Sequence, residues 1–114
     1  MKKRKLEVFD HFKRQSKRLL KKYKSLTTDL KELRESLLEI PDQGINLGGG
    51  LYKIRLASAS KGKGKSGGFR VVTYYIEQVG DEEIVYLVTI YDKSEEDNIL
   101  KDDLLAIVND AFGE

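Results

Sequence analysis

Two long runs of strand-forming residues in the second half of the chain constrain its fold most. Residues 69–76 and 84–91 are rich in valine, isoleucine, threonine and tyrosine, which favour β-strands. The first run is apolar at both odd and even positions, as is typical of a strand covered on both faces. The turn at residues 80–83 is too short for the crossover that parallel strands need. The two runs therefore predict an antiparallel pair, with residues 69–76 as a central strand.

Further strands are predicted on the N-terminal side of this pair. Residues 51–57 alternate, so Lys53 and Arg55 share one face and the apolar side chains share the other. The glycine-rich residues 44–50 before them predict a turn. Residues 5–9 also alternate and predict a short strand near the start of the chain. We thus expect a mainly antiparallel sheet of three to four strands.

The first half of the chain predicts a helical hairpin. From Asp10 onwards, apolar residues recur every three or four positions among lysines and arginines, which predicts a helix with a basic outer face. A second, leucine-striped helix follows, and Pro41 ends it because the residue before a proline avoids helical dihedral angles. Only a few residues join the two helices, so they are expected to pack antiparallel.

A last helix is predicted near the C-terminus, with Ser94 as its cap. Its apolar stripe consists of Leu100, Leu104, Val108 and Ala111. The expected fold class is α+β: a compact fold in which the N-terminal helical hairpin packs on the sheet, a C-terminal helix follows, and all helices lie on one face.

Size and composition exclude several classes of protein. A chain of 114 residues fits a single domain, 1–114. Cysteine is absent and His11 is the one histidine, so we expect no disulfide, no metal site and no cofactor. No apolar run approaches the roughly 20 residues that span a bilayer, so no membrane association is expected. The basic N-terminus lacks the apolar region of a signal peptide, so the expected compartment is the cytoplasm.

Charge is distributed in blocks. Residues 1–24 carry eleven basic and two acidic side chains, and residues 49–70 carry six basic and none that is acidic. By contrast, residues 71–114 carry two basic and twelve acidic side chains. Such local fields attract partners, which favours a polyanion or an acidic protein. A solvated helix face plus a loop accounts for the same pattern equally well.

The stretch ASKGKGKS, residues 59–66, resembles a phosphate-binding P-loop but lacks its context. A P-loop follows a strand and opens a helix, whose N-terminus holds the phosphate. Here two glycines and a predicted strand follow, and Ala59 replaces the first glycine. We therefore interpret the segment as a loop between two strands, in which lysines meet phosphates as point charges. These lysines are Lys61, Lys63 and Lys65. A solvated hairpin loop is the alternative.

At this point the chain resembles a known family. The runs GLYKIRLASASKGKGKSGGFRVVTYY and VYLVTIYDKSEEDNI are similar to those of the RelE/HigB-like toxins of bacterial type II toxin–antitoxin systems. The resemblance covers nearly the whole chain and follows the family's order of elements. It implies a compact α+β ribonuclease fold and a toxin that cuts mRNA at the ribosome without a metal, using the RNA 2′-OH. It also implies that a cognate antitoxin inhibits the toxin. The toxin is expected to contact operator DNA only through its complex with that antitoxin.

The resemblance also implies roles for individual residues. Lys53 and Arg55 match basic strand positions that bind the RNA backbone. Arg70 matches an arginine that stabilises the phosphate during transfer. Lys93 matches the position of a second arginine. Lysine retains the positive charge but lacks the guanidinium group that binds a phosphate in a bidentate manner.

One position departs from the pattern of some relatives. They carry a C-terminal tyrosine that transfers a proton, and the matching residue here is Ile99, which has no such chemistry. Tyr91 is the nearest candidate to replace it. A non-catalytic RNA-binding module therefore stays open as an alternative to the mRNA endoribonuclease. A toxin of the same fold that acts on another target, such as the gyrase inhibitors of the ParE branch, is the other alternative. His11 is expected to be a surface residue at the start of the first helix.

Overall fold

The computed structural model describes residues 3–57, 68–77, 81–95 and 99–113. Within these ranges, eight elements follow one another. They are β1 (Lys3–Val8), α1 (Asp10–Lys22), α2 (Leu26–Glu39), β2 (Ile45–Gly48), β3 (Leu51–Leu56), β4 (Phe69–Glu77), β5 (Glu82–Asp92) and α3 (Lys101–Ala111). Among the helices in these ranges, none is long and apolar enough to cross a membrane.

The strands form a five-stranded sheet in the order β1-β5-β4-β3-β2. β1 pairs with β5 in parallel, and the other neighbouring pairs are antiparallel. β4 lies in the middle, as its apolar sequence predicts. The α+β fold with a mainly antiparallel sheet is therefore confirmed, and the sheet is larger than expected. β5 begins at Glu82, inside the segment predicted as a turn.

The additional strand is β2, which lies in the segment predicted to be only a turn. Ile45 pairs with Lys53, and the side-chain oxygen of Asn46 accepts a hydrogen bond from the Gly48 N–H at 2.7 Å. The chain then reverses through glycines with positive φ, and Gly50 (φ +89°) packs so closely that an added Cβ would lie 2.9 Å from the Tyr74 ring. Glycine permits both the conformation and the approach. A tight hairpin therefore begins the sheet at this edge.

The helices cover both faces of the sheet, so the prediction that they share one face is wrong. On one face, apolar residues of α1 and α2 pack against Phe69 and Val71. On the other face, Leu104 and Val108 of α3 pack against Val72. Because neighbouring strand residues point to opposite faces, a strand that is apolar on both needs a cover on each. We call these the hairpin face and the α3 face.

The last helix begins later than predicted. α3 begins at Lys101, and Leu100 before it has an extended backbone without a side-chain cap. Ser94 instead lies in the turn after β5, where its hydroxyl donates to Asp92 Oδ1 at 2.8 Å. Serine competes for local hydrogen bonds in turns as readily as at helix caps. Of the predicted stripe, Leu104 and Val108 are buried, while Leu100 is 69% exposed.

A β-bulge reverses the side-chain alternation of β5. The register with β4 passes from Val72 opposite Thr89 to Thr73 opposite Leu87, which leaves Val88 as the extra residue. Bulges of this kind bend a strand and redirect its side chains. Leu87 packs on the hairpin face, but beyond the bulge Tyr91 packs on the α3 face. If side chains alternated regularly from Leu87 to Tyr91, Tyr91 would lie on the hairpin face.

A buried carboxylate joins three strands at the end of the sheet far from this part of β5. Glu83 is 5% exposed. Arg4 donates to Glu83 Oε1 from Nε at 3.1 Å and from Nη2 at 2.7 Å, and the Tyr75 hydroxyl donates to Oε2 at 2.5 Å. Arg4 Nη1 also donates to the Leu38 carbonyl oxygen at 2.5 Å, at the end of α2. We call this set, Arg4, Glu83 and Tyr75, the anchor.

Candidate active site

Three predicted site residues lie side by side across the sheet. Arg55 of β3 is directly opposite Arg70 of β4, and Arg70 is directly opposite Tyr91 of β5. Residues opposite one another on antiparallel strands have Cβ atoms about 4.5–5.5 Å apart. These residues come from three different strands, and the register of the sheet brings them together. We call Arg55, Arg70 and Tyr91 the cross-strand row.

All members of the row are on the α3 face. Ile54 and Phe69 belong to the core of the hairpin face, so alternation directs Arg55 and Arg70 to the opposite side. Tyr91 packs in the core of the α3 face because of the bulge at Val88. Lys53 precedes Arg55 by two residues on β3 and therefore shares the same face. β3, β4 and β5 thus each contribute side chains to one polar surface on the α3 face.

The row combines accessible and buried groups. Arg55 is exposed and Lys53 is half-buried, whereas Arg70 is only 7% exposed and Tyr91 only 4%. Arg70 Nη1 donates to the Phe69 carbonyl oxygen at 3.3 Å. A charge away from water interacts more strongly with an anion than a solvated one does. Arg55 is thus suited to first contact with a polyanion, and Arg70 to a strong interaction with an oxygen that reaches it.

Lys93 lies where β5 leaves the sheet, beside the beginning of β4. Its backbone N–H donates to the carbonyl oxygen of Gly68 at 3.2 Å, and its side chain is half-buried. At Gly68 (φ +52°), an added Cβ would lie 2.8 Å from the carbonyl oxygen of Leu56, the last residue of β3. The ends of three strands therefore converge here, next to the cross-strand row.

The remaining predicted site residues, Lys61, Lys63 and Lys65, lie outside the described residues. The strand that follows their segment does begin at Phe69, as the argument against a P-loop requires. Whether these lysines contact RNA stays a prediction.

A cleft of about 590 Å³ adjoins the row through Tyr91. It lies between α1 and α3 above the second half of β5. Its lining residues are His11, Gln15, Arg18, Thr89, Ile90, Tyr91, Glu95, Ile99, Asp103 and Ile107. An ion pair between Arg18 and Glu95, with nitrogen and oxygen 3.2 Å apart, joins α1 to the exit of β5.

The cleft bears on two sequence predictions. His11 is half-buried and lines the cleft, so it is less exposed than the surface residue that we expected. Ile99 and Tyr91 line the same cleft, so the tyrosine lies near the residue that the sequence resemblance matches to the C-terminal tyrosine of some relatives.

Tyr86 also lies on the α3 face, but its environment keeps the phenol neutral. Burial, followed by the negative charge of Glu7, raises the pKa of Tyr86 above its ordinary value of 10.0. Its ring centroid lies 5.3 Å from that of Phe9 and 5.2 Å from that of Phe112. Tyr86 therefore acts as a packing residue at neutral pH, as its position in a predicted strand indicates.

The sequence did not single out Asp92, which holds the exit of β5. It is fully buried, and the Tyr23 hydroxyl donates to its Oδ2 at 3.0 Å. The local signal is the short run Asp92-Lys93-Ser94, in which an aspartate accepts a hydrogen bond from the backbone two residues later. The contact with Tyr23 spans most of the chain and has no such local signal.

The chain matches a known protein-family model. The family model described as the RelE toxin of the RelE/RelB toxin–antitoxin system matches residues 4–111. The matched region contains the cross-strand row, Lys93, Asp92 and the cleft between α1 and α3.

Proposed function

Because this chain belongs to the RelE toxin family of type II RelE/RelB toxin–antitoxin systems, we propose that it is a ribosome-dependent mRNA endoribonuclease, formed by one toxin domain, 1–114. Toxins of this family are typically such enzymes. The observation that carries the proposal is the register that aligns Arg55, Arg70 and Tyr91 across three adjacent strands.

The reaction requires no metal. The 2′-oxygen of a ribose attacks the adjacent phosphorus, the bond from phosphorus to the 5′-oxygen breaks, and a 2′,3′-cyclic phosphate and a 5′-OH result. A base takes the 2′-OH proton, and an acid gives one to the 5′-oxygen. Between these events the phosphorane carries extra negative charge, which preorganised cations stabilise.

The cations divide this work according to their exposure. Arg70 is buried and its guanidinium stabilises the phosphorane, because its charge acts in a low dielectric. Lys53 and Arg55 are more accessible and bind the flanking backbone. Lys61, Lys63 and Lys65 extend this backbone contact.

Proton transfer falls to Tyr91 and Lys93. Tyr91 is opposite Arg70, and Lys93 follows it by two residues at the exit of β5. We assign the role of base to Tyr91 because its hydroxyl-bearing side chain lies opposite Arg70 and lines the cleft. Lys93 then donates to the leaving oxygen. The cleft beside Tyr91 offers space for a neighbouring nucleotide.

A RelE toxin implies a RelB-type cognate antitoxin as its partner. We propose that this antitoxin covers the cross-strand row and Lys53, over a standard interface on the order of 1,600 Å² in total. Operator DNA is contacted only through that complex, and the toxin acts in the cytoplasm. Hydrogen exchange of the complex tests occlusion: protection of the β3 and β4 backbone around Arg55 and Arg70 is expected. An antitoxin that leaves this surface unprotected would contradict inhibition by direct cover.

A non-catalytic RNA-binding module is the second candidate, because Ile99 occupies the position of the family's proton-transferring tyrosine. Such a module would bind single-stranded RNA with a salt slope of about −0.7 per phosphate contacted and would leave the RNA intact. Cleavage therefore separates the two candidates.

The test is a purified translation reaction programmed with one defined mRNA and mapped by primer extension. New 5′ ends that appear only when ribosomes are present are expected with the wild-type protein. Arg70→Ala should remove them, while Arg34→Ala, at an exposed arginine of α2, should leave them unchanged. An intact message with normal translation would overturn the nuclease. DNA damage signalling upon expression would then support a gyrase inhibitor.

A further inference from the structure

The exit of β5 is held by a buried carboxylate that the proposed chemistry does not use. Asp92 has no exposed surface. The Tyr23 hydroxyl donates to its Oδ2 at 3.0 Å, and the N–H and hydroxyl of Ser94 donate to its Oδ1 at 2.9 and 2.8 Å. A buried carboxylate is costly unless it is hydrogen-bonded, and these bonds satisfy both of its oxygens. They also tie the end of α1 to the turn after β5.

This carboxylate lies directly behind the cross-strand row. Asp92 is opposite Phe69 in the β4–β5 register, just as Tyr91 is opposite Arg70. Tyr23 contacts both Asp92 and Phe69. Its hydroxyl donates to Asp92, and its ring centroid lies 5.1 Å from that of Phe69 in an edge-on arrangement. The pair Phe69 and Asp92 on the hairpin face is therefore joined through the backbone of β4 and β5 to the pair Arg70 and Tyr91 on the α3 face. A movement of one displaces the other.

Asp92 also separates the two residues proposed for proton transfer. Tyr91 precedes it and Lys93 follows it. The bulge at Val88 sends Tyr91 to the α3 face and leaves Asp92 on the hairpin face, within reach of Tyr23. The turn closed by Ser94 and Asp92 determines where Lys93 leaves the sheet, and the Lys93 N–H is bonded to Gly68 on the adjacent strand.

We propose that Tyr23 and Asp92 form a clamp that positions Tyr91 and Lys93 for RNA cleavage. This inference rests on the proposed function. Neither clamp residue touches the RNA, so both are positioning residues that act from the opposite face of the sheet. Misplacement of a reacting group by about 1 Å costs on the order of 100-fold in rate. Loss of the clamp should therefore lower kcat and leave KM unchanged, since Lys53 and Arg55 still bind the RNA backbone.

A pair of tyrosine variants separates positioning from stability. Tyr23→Phe removes the hydroxyl that donates to Asp92 and keeps the ring against Phe69. Tyr75→Phe is the matched control, because it removes a hydroxyl that donates to the buried Glu83 at the far end of the sheet. Both variants lose one hydrogen bond to a buried carboxylate, so both should lose a similar amount of stability. Only Tyr23→Phe should lower kcat, by about tenfold or more.

The second readout is hydrogen exchange of the Lys93 backbone N–H, measured by NMR on the same variants. Faster exchange in Tyr23→Phe than in Tyr75→Phe is expected. Equal kcat and equal Lys93 exchange in the two variants would overturn the clamp. If the wild-type protein leaves the message intact, the proposed cleavage fails instead, and Lys93 exchange decides by itself whether the clamp orders this exit.

Discussion

The two ends of the sheet use arginine in opposite ways. At one end, Arg4 donates two hydrogen bonds to the buried carboxylate of Glu83, and Tyr75 donates to the same group. At the other end, the cross-strand neighbours of Arg70 are a second arginine and a tyrosine. Loss of one partner from a buried ion pair is strongly destabilising, whereas like charges directly opposite one another destabilise a strand pair. The anchor thus holds its end of the sheet together, whereas the row places two positive charges side by side, which suits the binding of phosphates.

The largest expected effect is at the buried arginine of the row. Arg70→Gln should lower the single-turnover rate of mRNA cleavage about 10²–10³-fold, which is the usual effect of removing one preorganised donor. Circular dichroism and thermal unfolding should show that the variant still folds. A cleavage rate within a few-fold of the wild type would remove Arg70 from the catalytic group.

At the anchor, we expect a substitution to lower the stability of the fold and to leave the cleavage rate unchanged. Arg4→Met leaves the buried Glu83 without its ionic partner, which typically costs 3–5 kcal/mol. Because the Arg4 side chain is 27% exposed, we expect the lower end, about 3 kcal/mol. Urea unfolding measures this loss, and cleavage per folded molecule should equal that of the wild type. A stability equal to the wild type would show that the anchor does not hold this end of the sheet.

Lys93 should have a smaller effect on catalysis than Arg70. Lys93→Ala removes a charge-assisted hydrogen bond worth about 1.5–3 kcal/mol, which corresponds to roughly 10–100-fold in cleavage rate. Lys93→Arg keeps the positive charge but does not release a proton, so it should cleave more slowly than the wild type and no more slowly than Lys93→Ala. If Lys93→Ala cleaves normally, Lys93 is not the proton donor.

The smallest effect is expected at the accessible arginine. Arg55→Gln removes one of two like charges that are directly opposite each other, so the free energy of unfolding should rise by about 0.2–1 kcal/mol. The same variant should bind single-stranded RNA more weakly, with a salt slope reduced by about 0.7. A variant that is less stable and binds RNA normally would contradict the assignment of Arg55 to a binding surface.

The sequence predicts most of the fold because its strands carry strong local patterns. The alternation around Lys53 and Arg55 gives β3, and the apolar run beginning at Phe69 gives the central strand. β2 was missed because four residues beside several glycines carry little strand signal. The position of α3 was wrong, although the apolar run of β4 already indicated that both faces of the sheet are covered.

The candidate site is less predictable because it depends on register. Nothing in the uniform run of β5 indicates that Val88 is an extra residue, yet this bulge decides the face on which Tyr91 lies. The contact between Tyr23 and Asp92 joins residues that are far apart in the chain. Bulges and long-range contacts follow from the packing of the whole sheet, so a local pattern does not reveal them.

The contrast between the two ends can be measured directly. Single-turnover cleavage of one ribosome-bound mRNA would be followed with the wild type, Arg70→Gln and Arg4→Met, at a temperature where unfolding curves show all three to be folded. We predict that Arg70→Gln loses about 10²–10³-fold in rate and that Arg4→Met cleaves like the wild type. Equal losses in the two variants, or no cleavage by the wild type, would contradict the assignment of catalysis to the cross-strand row.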